Sequence, residues 1–384
     1  MKRLVFFLMV VMAACSMSGC NTLGFGKTNK QPLPPLPEIK DPIQIQKVWQ
    51  ARPGVGSHGQ YLRLTPQLDG STIYTTDVKG HISAVADLDG RILWTTKVKD
   101  SITAGPGAGD GRVYITTGNA KAYAFDAKTG KQLWQAKISN QSLANPVYTN
   151  GLVIFKTIDA DVIALNARTG KQVWHYEGDT PRLILRASSV PVETHGGVVV
   201  GFANGEVVVL TVQEGKLFWQ KQVADPQGFS DLSRMVDIDA DPVPAGNTLF
   251  VATYQGNISA LDLRTGKLIW QHKLSSYTGM AVSDDKVFVT DADGRIWAFN
   301  ASTGQVAWRQ NKLARRQLTG PALLGHYLVV ADRTGYEHWL DQADGDIKAR
   351  QFLGKAGVIT NPFTHGNRVY LQMEDGNLLA QRVG

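Results

Sequence analysis

The amino-acid sequence predicts an all-β protein folded as an eight-bladed β-propeller of four-stranded antiparallel blades. Three observations support this class: a recurring phrase that ends in tryptophan, a column of prolines that opens the repeats, and a total length that suits eight units. The phrase is clearest at 129–134, 169–174, 265–270 and 303–308. Its last position falls at residues 49, 94, 134, 174, 219, 270, 308 and 349, which are 38 to 51 residues apart. That period is typical of a blade of four short strands.

The chain begins with a pattern typical of a secretion signal. A basic start is followed by eleven apolar residues from Leu4 to Ala14 and then by small residues before Cys20. Eleven apolar residues are too few for a transmembrane helix, which needs about 20. The small-small-Cys ending resembles a bacterial lipobox, so we expect residues 1–19 to be a signal peptide and Cys20 to be lipidated. Cys15 is a weaker candidate for lipidation, and an ordinary signal that contains a cysteine is the remaining alternative.

Residues 20–42 predict a tether between the lipid anchor and the folded body. The stretch Gln31 to Pro37 holds four prolines and shows no strand pattern. Proline favours extended polyproline geometry, which suits a spacer. A binding motif for a proline-recognising domain is the alternative, but such domains are not expected outside the cytoplasm.

Composition gives little support to several other classes of function. The formal charge of +7 includes Lys2 and Arg3 of the signal, so the mature chain has a small excess that does not favour nucleic-acid binding. Cys15 and Cys20 are the only cysteines. No disulfide is therefore expected, and burial of apolar surface must stabilise the propeller alone.

Residues 43–384 predict the propeller itself. Each repeat holds runs of β-branched and aromatic residues separated by Asp, Asn and Gly turns. The last repeat shows only three strands, and Gln46 to Trp49 is an unassigned outer strand at the other end. We therefore expect the N-terminal strand to complete the C-terminal blade, which removes exposed sheet edges. Ala349 replaces the tryptophan of the seventh blade, where we expect one looser flank.

The sequence contains no recognisable catalytic or metal-binding constellation. The eight histidines never take a metal-ligand spacing. The glycine-rich stretch 105–109 lies between two predicted strands with no helix after it, so it is a turn rather than a phosphate loop. Asp237, Asp239 and Asp241 have the initial spacing of a calcium loop, but its sixth and twelfth positions do not fit. We predict no catalytic residue, no metal and no cofactor.

Two consecutive connections between blades are longer than most of the others. They span 17 residues over 174–191 and 23 residues over 219–242, whereas five of the other six span 11 to 13 residues. Because they emerge on one face of the ring, one blade apart, we expect a single raised patch, and long loops on rigid scaffolds often carry function. One interpretation is an apolar contact with a charged rim. The other is that the leucines plug the mouth of the ring while the aspartates cap turns or pair with Arg186 or Arg234.

The lipobox, the proline-rich tether, the repeats and the two long loops together resemble the BamB family, the propeller lipoproteins of the bacterial outer-membrane β-barrel assembly machinery. The repeats alone are less specific, since they also occur in quinoprotein dehydrogenases. The motifs at 183–186 and 237–239 look like the two family motifs that contact BamA, the central barrel-inserting protein, through its periplasmic repeat domains. On that resemblance the partner-binding residues are Leu183, Leu185, Arg186, Asp237 and Asp239.

The resemblance implies a non-enzymatic scaffold, anchored through Cys20 to the periplasmic face of the outer membrane. It implies binding to a BamA-like protein and assistance to the folding and insertion of outer-membrane proteins, with unfolded precursors as further candidate partners. Asn21 is not the aspartate that favours inner-membrane retention. Two alternatives stay open: a pyrroloquinoline-quinone-dependent dehydrogenase and a generic periplasmic binding propeller. The dehydrogenases generally use an adjacent cysteine pair, which this chain lacks.

Overall fold

The computed structural model describes residues 32–185, 188–194 and 196–384. Within these residues, 32 strands form eight four-stranded antiparallel sheets, the blades of a propeller. The predicted signal peptide and Cys20 lie outside the described residues. No helix in the described part of the chain is long and apolar enough to cross a membrane.

The strands of each blade follow one another from the inner edge to the outer edge, except that the last blade takes its outer strand from the N-terminus. In chain order they are β1 Ile45–Ala51; β2 Gln67–Asp69, β3 Thr72–Thr76, β4 His81–Ala86 and β5 Ile92–Lys97 in blade 1; β6 Gly107–Gly109, β7 Arg112–Thr116, β8 Lys121–Asp126 and β9 Gln132–Lys137 in blade 2; β10 Val147–Thr149, β11 Leu152–Lys156, β12 Asp161–Asn166 and β13 Gln172–Glu177 in blade 3; β14 Val192–Thr194, β15 Gly197–Gly201, β16 Glu206–Thr211 and β17 Leu217–Gln222 in blade 4; β18 Val243–Ala245, β19 Thr248–Ala252, β20 Asn257–Asp262 and β21 Leu268–Lys273 in blade 5; β22 Met280–Val282, β23 Lys286–Thr290, β24 Ile296–Asn300 and β25 Val306–Gln310 in blade 6; β26 Ala322–Leu324, β27 Tyr327–Ala331, β28 Tyr336–Asp341 and β29 Ile347–Phe352 in blade 7; and β30 Phe363–His365, β31 Arg368–Gln372 and β32 Leu378–Val383 in blade 8.

The ring is closed by the two ends of the folded chain. β1 pairs antiparallel with β32, so that Ile45 lies opposite Val383 and Ala51 opposite Leu378. The N-terminal strand is thus the outer strand of blade 8. This confirms the prediction of an eight-bladed propeller whose C-terminal blade is completed by the N-terminal strand.

The core is distributed around the ring rather than concentrated in one place. In the described part of the chain, eight clusters of buried apolar residues each lie at one junction between consecutive blades. At the closing junction, Trp49 and Tyr370 of blade 8 pack with Ile73 and Val85 of blade 1. Each sheet therefore buries both of its faces, and every blade depends on its two neighbours.

The recurring tryptophan docks each outer strand on the next blade. In seven junctions its indole N–H donates to a backbone carbonyl of that blade: Trp49 to Asp87 at 2.7 Å, Trp94 to Ala127 at 2.9 Å, Trp134 to Ala167 at 2.9 Å, Trp174 to Val212 at 2.8 Å, Trp219 to Leu263 at 3.0 Å, Trp270 to Ala301 at 2.8 Å and Trp308 to Gln342 at 3.0 Å. The indole ring also covers a turn glycine of that blade. A Cβ on Gly170, whose φ is +70°, would lie 2.8 Å from the ring of Trp134. The recurring phrase therefore contains both partners of the contact. Its glycine is covered by the indole of the preceding blade, and its tryptophan docks on the following blade.

In blade 7 the large and the small residue of one cross-strand pair change places. Elsewhere the tryptophan of the outer strand lies opposite a smaller residue of the third strand, as Trp134 lies opposite Ala124. In blade 7 the third strand carries the indole instead, with Trp339 opposite Ala349. Both residues are buried, and Ile43 packs against the same cluster. The flank that we expected to be looser is filled. The outer strand of blade 8 is β1, so that blade has no turn between its third and outer strands. An indole at the outer position of blade 7 would therefore find no turn glycine to cover.

Residues 36–42, the last part of the predicted tether, pack on the propeller. Leu36 and Ile39 lie against the apolar cluster between blades 6 and 7. The Nη1 atom of Arg350 donates to the carbonyl oxygen of Pro37 at 3.0 Å. Part of the predicted tether is therefore held against the propeller.

A buried acid lies at the junction between blades 7 and 8. Glu337 on β28 has no exposed surface and lies opposite Gln351 of β29. It shares a face of the strand with Trp339, two residues further on. Burial raises the pKa of Glu337 to about 8, because a charged carboxylate loses its hydration in this environment. The side chain is therefore neutral over most of the physiological range.

We predict that Trp339 stabilises its junction as strongly as a tryptophan in the usual position. Trp339→Ala and Trp134→Ala should each lower the free energy of unfolding by about 3–5 kcal/mol, because each leaves a large cavity between two blades. Urea denaturation followed by circular dichroism measures both, with Phe352→Ala on the exposed side of β29 as a control. A loss below about 1 kcal/mol for Trp339→Ala would show that the exchange of sizes does not fill the junction.

We predict that Glu337→Gln removes one source of pH dependence. The native state keeps this proton between pH 4.5 and about 8, where the unfolded chain releases it, so the stability contributed by the site is lost as pH rises through this window. Wild type and variant should be similarly stable at pH 5, and the variant should be more stable at pH 9 by on the order of 4 kcal/mol. Urea denaturation at the two pH values tests this. An identical difference at both pH values would contradict the prediction.

Candidate partner-binding site

The two long connections lie side by side on one face of the propeller. We call residues 178–191 link 3–4 and residues 223–242 link 4–5, after the blades that they join. Because neighbouring strands run in opposite directions, these links share a face with the turns between second and third strands. The turns between third and outer strands, in which the recurring phrase begins, lie on the opposite face. Both links therefore lie on one face of the ring, as the sequence analysis expected.

The outer surface of the two links is apolar with charges beside it. Leu183 is 42% exposed and Phe229 is fully exposed, and Leu232 of the short 3₁₀ turn Leu232–Arg234 is 63% exposed. A groove of about 350 Å³ separates the links and is lined by Pro181, Arg182, Leu183, Asn204, Pro226, Asp231 and Arg234. Exposed apolar side chains around a groove, with arginines at its edge, are typical of a protein-binding surface.

The aspartates of the second motif lie beneath this surface. Asp237 is 1% exposed and Asp239 is 2% exposed. Oδ1 of Asp237 accepts a hydrogen bond from the backbone N–H of Leu185 at 2.8 Å. Oδ1 of Asp241 accepts one from the backbone N–H of Val190 at 2.7 Å. Link 4–5 therefore uses its carboxylates to hold the backbone of link 3–4.

The backbone of link 4–5 is itself fixed to two blades. The carbonyl oxygen of Asp237 accepts from the N–H of Tyr254 in blade 5 at 2.8 Å, and the N–H of Ile238 donates to Phe202 in blade 4 at 3.2 Å. Arg63, from the connection between blades 8 and 1, donates from Nη1 to the carbonyl oxygen of Asp239 at 3.1 Å. The base of the site is thus tied to elements on several sides of the ring.

Burial strongly affects the pKa values of the three aspartates beneath the links. It raises the pKa of Asp237 to about 6, and the hydrogen bond from Leu185 partly offsets this effect. Burial likewise raises the pKa of Asp239 and of Asp241, and Arg63 acts in the opposite direction on both. The Oδ2 atoms of Asp237 and Asp239 are buried and accept no hydrogen bond from the described residues. All three carboxylates are therefore internal, and those of Asp237 and Asp241 hold the backbone of link 3–4.

The structure separates the five residues that the resemblance selected. Leu183 is exposed, Leu185 is half-buried, and Asp237 and Asp239 lie inside. Arg186 lies outside the described residues. Asp237 caps a backbone N–H group of the neighbouring link, whereas the side chain of Leu183 is exposed.

Sequence reasoning did not single out Phe229 or the buried Lys156. Lys156 is the last residue of β11, and its side chain is 5% exposed. The corresponding last residue of the second strand is uncharged in each of the other seven blades: Thr76, Thr116, Gly201, Ala252, Thr290, Ala331 and Gln372. Alignment of the repeats therefore contains a signal that marks Lys156 as unusual. No comparable signal distinguishes Phe229, since exposure is decided by the path of the link.

The described residues contain no group of three or more His, Cys, Asp or Glu side chains that could hold a metal ion. The fold and the site together define a closed propeller with exposed apolar side chains on two adjacent links that are joined by hydrogen bonds. A sequence model of the family described as "Outer membrane protein assembly factor BamB" matches residues 78–310 and 298–382. The chain belongs to the BamB family of outer membrane protein assembly factors. The protein is therefore an assembly factor and not an enzyme, which excludes the dehydrogenase alternative.

Individual relatives agree with this assignment. The outer membrane protein assembly factor BamB of Legionella pneumophila is 39% identical over 374 residues, which cover 96% of this chain and 97% of the relative. The crystal structure of BamB from Moraxella catarrhalis matches with a TM-score of 0.82 and 27% identity, covering 88% of this chain and all of that one. A quinohemoprotein alcohol dehydrogenase from Comamonas testosteroni matches with a TM-score of 0.69 at 14% identity, covering 88% of this chain and 76% of that one. This last likeness concerns the fold alone.

We predict that Asp237→Ala loosens link 3–4 without unfolding the propeller. The variant loses the acceptor for the Leu185 N–H, while removal of a buried carboxyl offsets part of the lost stability. Trypsin should cleave after the exposed Arg182 roughly tenfold faster, with little change in the urea midpoint. Asp231→Ala, an exposed change in the neighbouring link, is the control. Equal cleavage rates for wild type and Asp237→Ala would show that this hydrogen bond does not order the link.

Proposed function

We propose that this protein is a scaffold of the outer-membrane β-barrel assembly complex that binds a BamA-like protein through links 3–4 and 4–5. In this role it assists the folding and insertion of outer-membrane proteins. Membership of the BamB family supports the coarse function. The observation that carries the finer proposal is the set of exposed apolar side chains on the two adjacent links, Leu183, Phe229 and Leu232. The links are joined by buried hydrogen bonds, and Leu183 also lines the groove between them.

The division between exposed and buried residues suits such a contact. Truncation of large side chains at the centre of an interface generally weakens binding most, and a preformed site reduces the ordering that binding requires. Leu183 supplies apolar area in the groove, and Arg182 and Arg234 supply charge there. Phe229 adds an exposed apolar side chain on link 4–5. Asp237 contributes by holding link 3–4 in place, and we keep the buried Asp239 in the proposed set on the strength of the motif. We keep Arg186 in the proposed contact set on the strength of the motif alone.

We further propose that Cys20 anchors the protein to the periplasmic face of the outer membrane. Residues 21–35 lie between Cys20 and Leu36, which packs on the propeller. A chain of that length spans at most roughly 55 Å when fully extended. The anchor therefore limits how far the proposed contact face can lie from the membrane. Unfolded precursors are a second proposed class of partner, for which no particular surface is assigned.

We predict that the exposed apolar residues of both links are needed for partner binding. Leu183→Ala combined with Phe229→Ala should weaken binding to the periplasmic repeat domains of the BamA-like protein by roughly tenfold to a hundredfold. Co-purification from cells and a titration of the purified proteins measure this loss, and Leu183→Ala with Arg186→Ala tests the first motif.

The matched control is Leu88→Ala. Leu88 is 75% exposed but lies in the turn between β4 and β5, on the opposite face, so its removal should leave binding unchanged. Undiminished binding by the Leu183 and Phe229 variant would contradict the proposed surface. If the wild-type protein does not bind the repeat domains, the generic periplasmic binding propeller becomes the better interpretation. Crosslinking from position 185 in intact cells identifies the neighbouring protein directly.

A further inference from the structure

Lys156 lies where blade 3, blade 4 and link 3–4 meet. It shares a strand face with Ile154, which packs toward blade 4. Its Nζ atom donates a hydrogen bond to the carbonyl oxygen of Gly201 and another to Oγ of Ser189 at 3.2 Å. Ser189 belongs to link 3–4. A single buried ammonium therefore joins an inner strand of one blade to the next blade and to the link that carries Leu183.

The negative charges that act on Lys156 are those of the three buried aspartates in link 4–5. Its ammonium interacts electrostatically with the carboxylates of Asp237, Asp239 and Asp241 in link 4–5. Lys156 and Asp239 also line the same cavity of about 20 Å³, which lies under Pro181 and Ile184 of link 3–4. That volume suffices for about one water molecule. Among the described residues, Arg63 is a second cation near these acids, and it lowers the pKa of Asp239 and of Asp241.

Packing alone does not explain a lysine at this position. A buried ammonium loses its hydration, which lowers the pKa of Lys156, and the aspartates act in the opposite direction. Conversely, Lys156 lowers the pKa of Asp237, Asp239 and Asp241, which burial raises. A buried charge of this kind persists only with partners of opposite sign. The cation and the acids therefore depend on one another.

We propose that Lys156 is a positioning residue for the partner-binding surface, which supplies the positive charge that lets the buried aspartates of link 4–5 hold link 3–4 in its binding conformation. An ionised carboxylate accepts the Leu185 N–H more strongly than a neutral carboxyl does. Loss of the Lys156 charge favours proton uptake by the acids and weakens this bond. Its effect on partner affinity rests on the proposed function, but its effect on link 3–4 does not.

The experiment compares four variants of the full-length chain. Lys156→Met removes the charge and keeps most of the side-chain length, and Lys156→Arg keeps the charge. Lys156→Met with Asp239→Asn removes one charge of each sign. Ile154→Val, a small packing change on the same face of the same strand, is the matched control. Amide hydrogen exchange of peptides covering 183–190 is measured without any partner, together with the urea midpoint of each variant.

In Lys156→Met we expect exchange at the Leu185 amide to accelerate roughly tenfold or more, and in Ile154→Val we expect it to remain at the wild-type rate. Lys156→Arg and the double variant should each recover at least half of the lost protection, on a logarithmic scale. A merely structural role predicts no such recovery in the double variant, which carries more substitutions. Unchanged exchange in Lys156→Met, or a double variant that exchanges at least as fast as Lys156→Met, would overturn the proposal.

Binding to the periplasmic repeat domains of the BamA-like protein is then measured for the same variants. Accelerated exchange accompanied by a loss of affinity of roughly tenfold supports both the positioning role and the proposed function. Accelerated exchange with unchanged affinity leaves the positioning role intact and contradicts the proposed contact surface. The two failures are therefore distinguishable, because the exchange measurement requires no partner.

Discussion

The structure depends on one repeated contact, in which the indole of an outer strand covers a turn glycine of the next blade and donates to a carbonyl oxygen beside it. Since the sheets bury both faces, no blade is complete without its neighbours, and this contact sets their spacing. Blade 7 shows what the constraint requires. Trp339 and Ala349 exchange sizes across one strand pair, and the junction stays filled. The requirement is a filled junction, and the tryptophan of the outer strand is the usual way to meet it.

A ring held in this way brings distant segments together at one face. Links 3–4 and 4–5 follow different blades, yet a carboxylate of one accepts a backbone N–H of the other, and Arg63 reaches the same base from the connection between blades 8 and 1. The rigid ring leaves little freedom at the base of the site, while the tips of the links carry exposed apolar side chains. The two sequence motifs therefore contain two kinds of residue. Some are exposed and available to a partner, and others are buried and hold the exposed ones in place.

Much of the fold was predictable because its signals are local and repeated. The period of the tryptophan phrase predicted eight blades. An unassigned outer strand near the N-terminus and a missing fourth strand in the last repeat predicted the closure through β1 and β32. The packing of blade 7 was not predicted, since the exchange between Trp339 and Ala349 involves strand partners whose register the sequence does not state. The position of the two long links was predicted from their length. The burial of Asp237 and Asp239 was not, because spacing in sequence says nothing about which side of a link faces the core.

The sequence by itself determined the class of fold, the position of the two long links and the family resemblance, because turn glycines, strand patterns and loop lengths are written in consecutive residues. Only the tertiary structure decided the roles of individual residues in the site. Lys156 lies 81 residues before Asp237 in the chain, and their charges interact only after blades 3, 4 and 5 have packed. Exposure of Leu183 and burial of Asp239 likewise follow from the path of the links over the ring, since burial is a property of all the surrounding chain and not of a residue and its sequence neighbours.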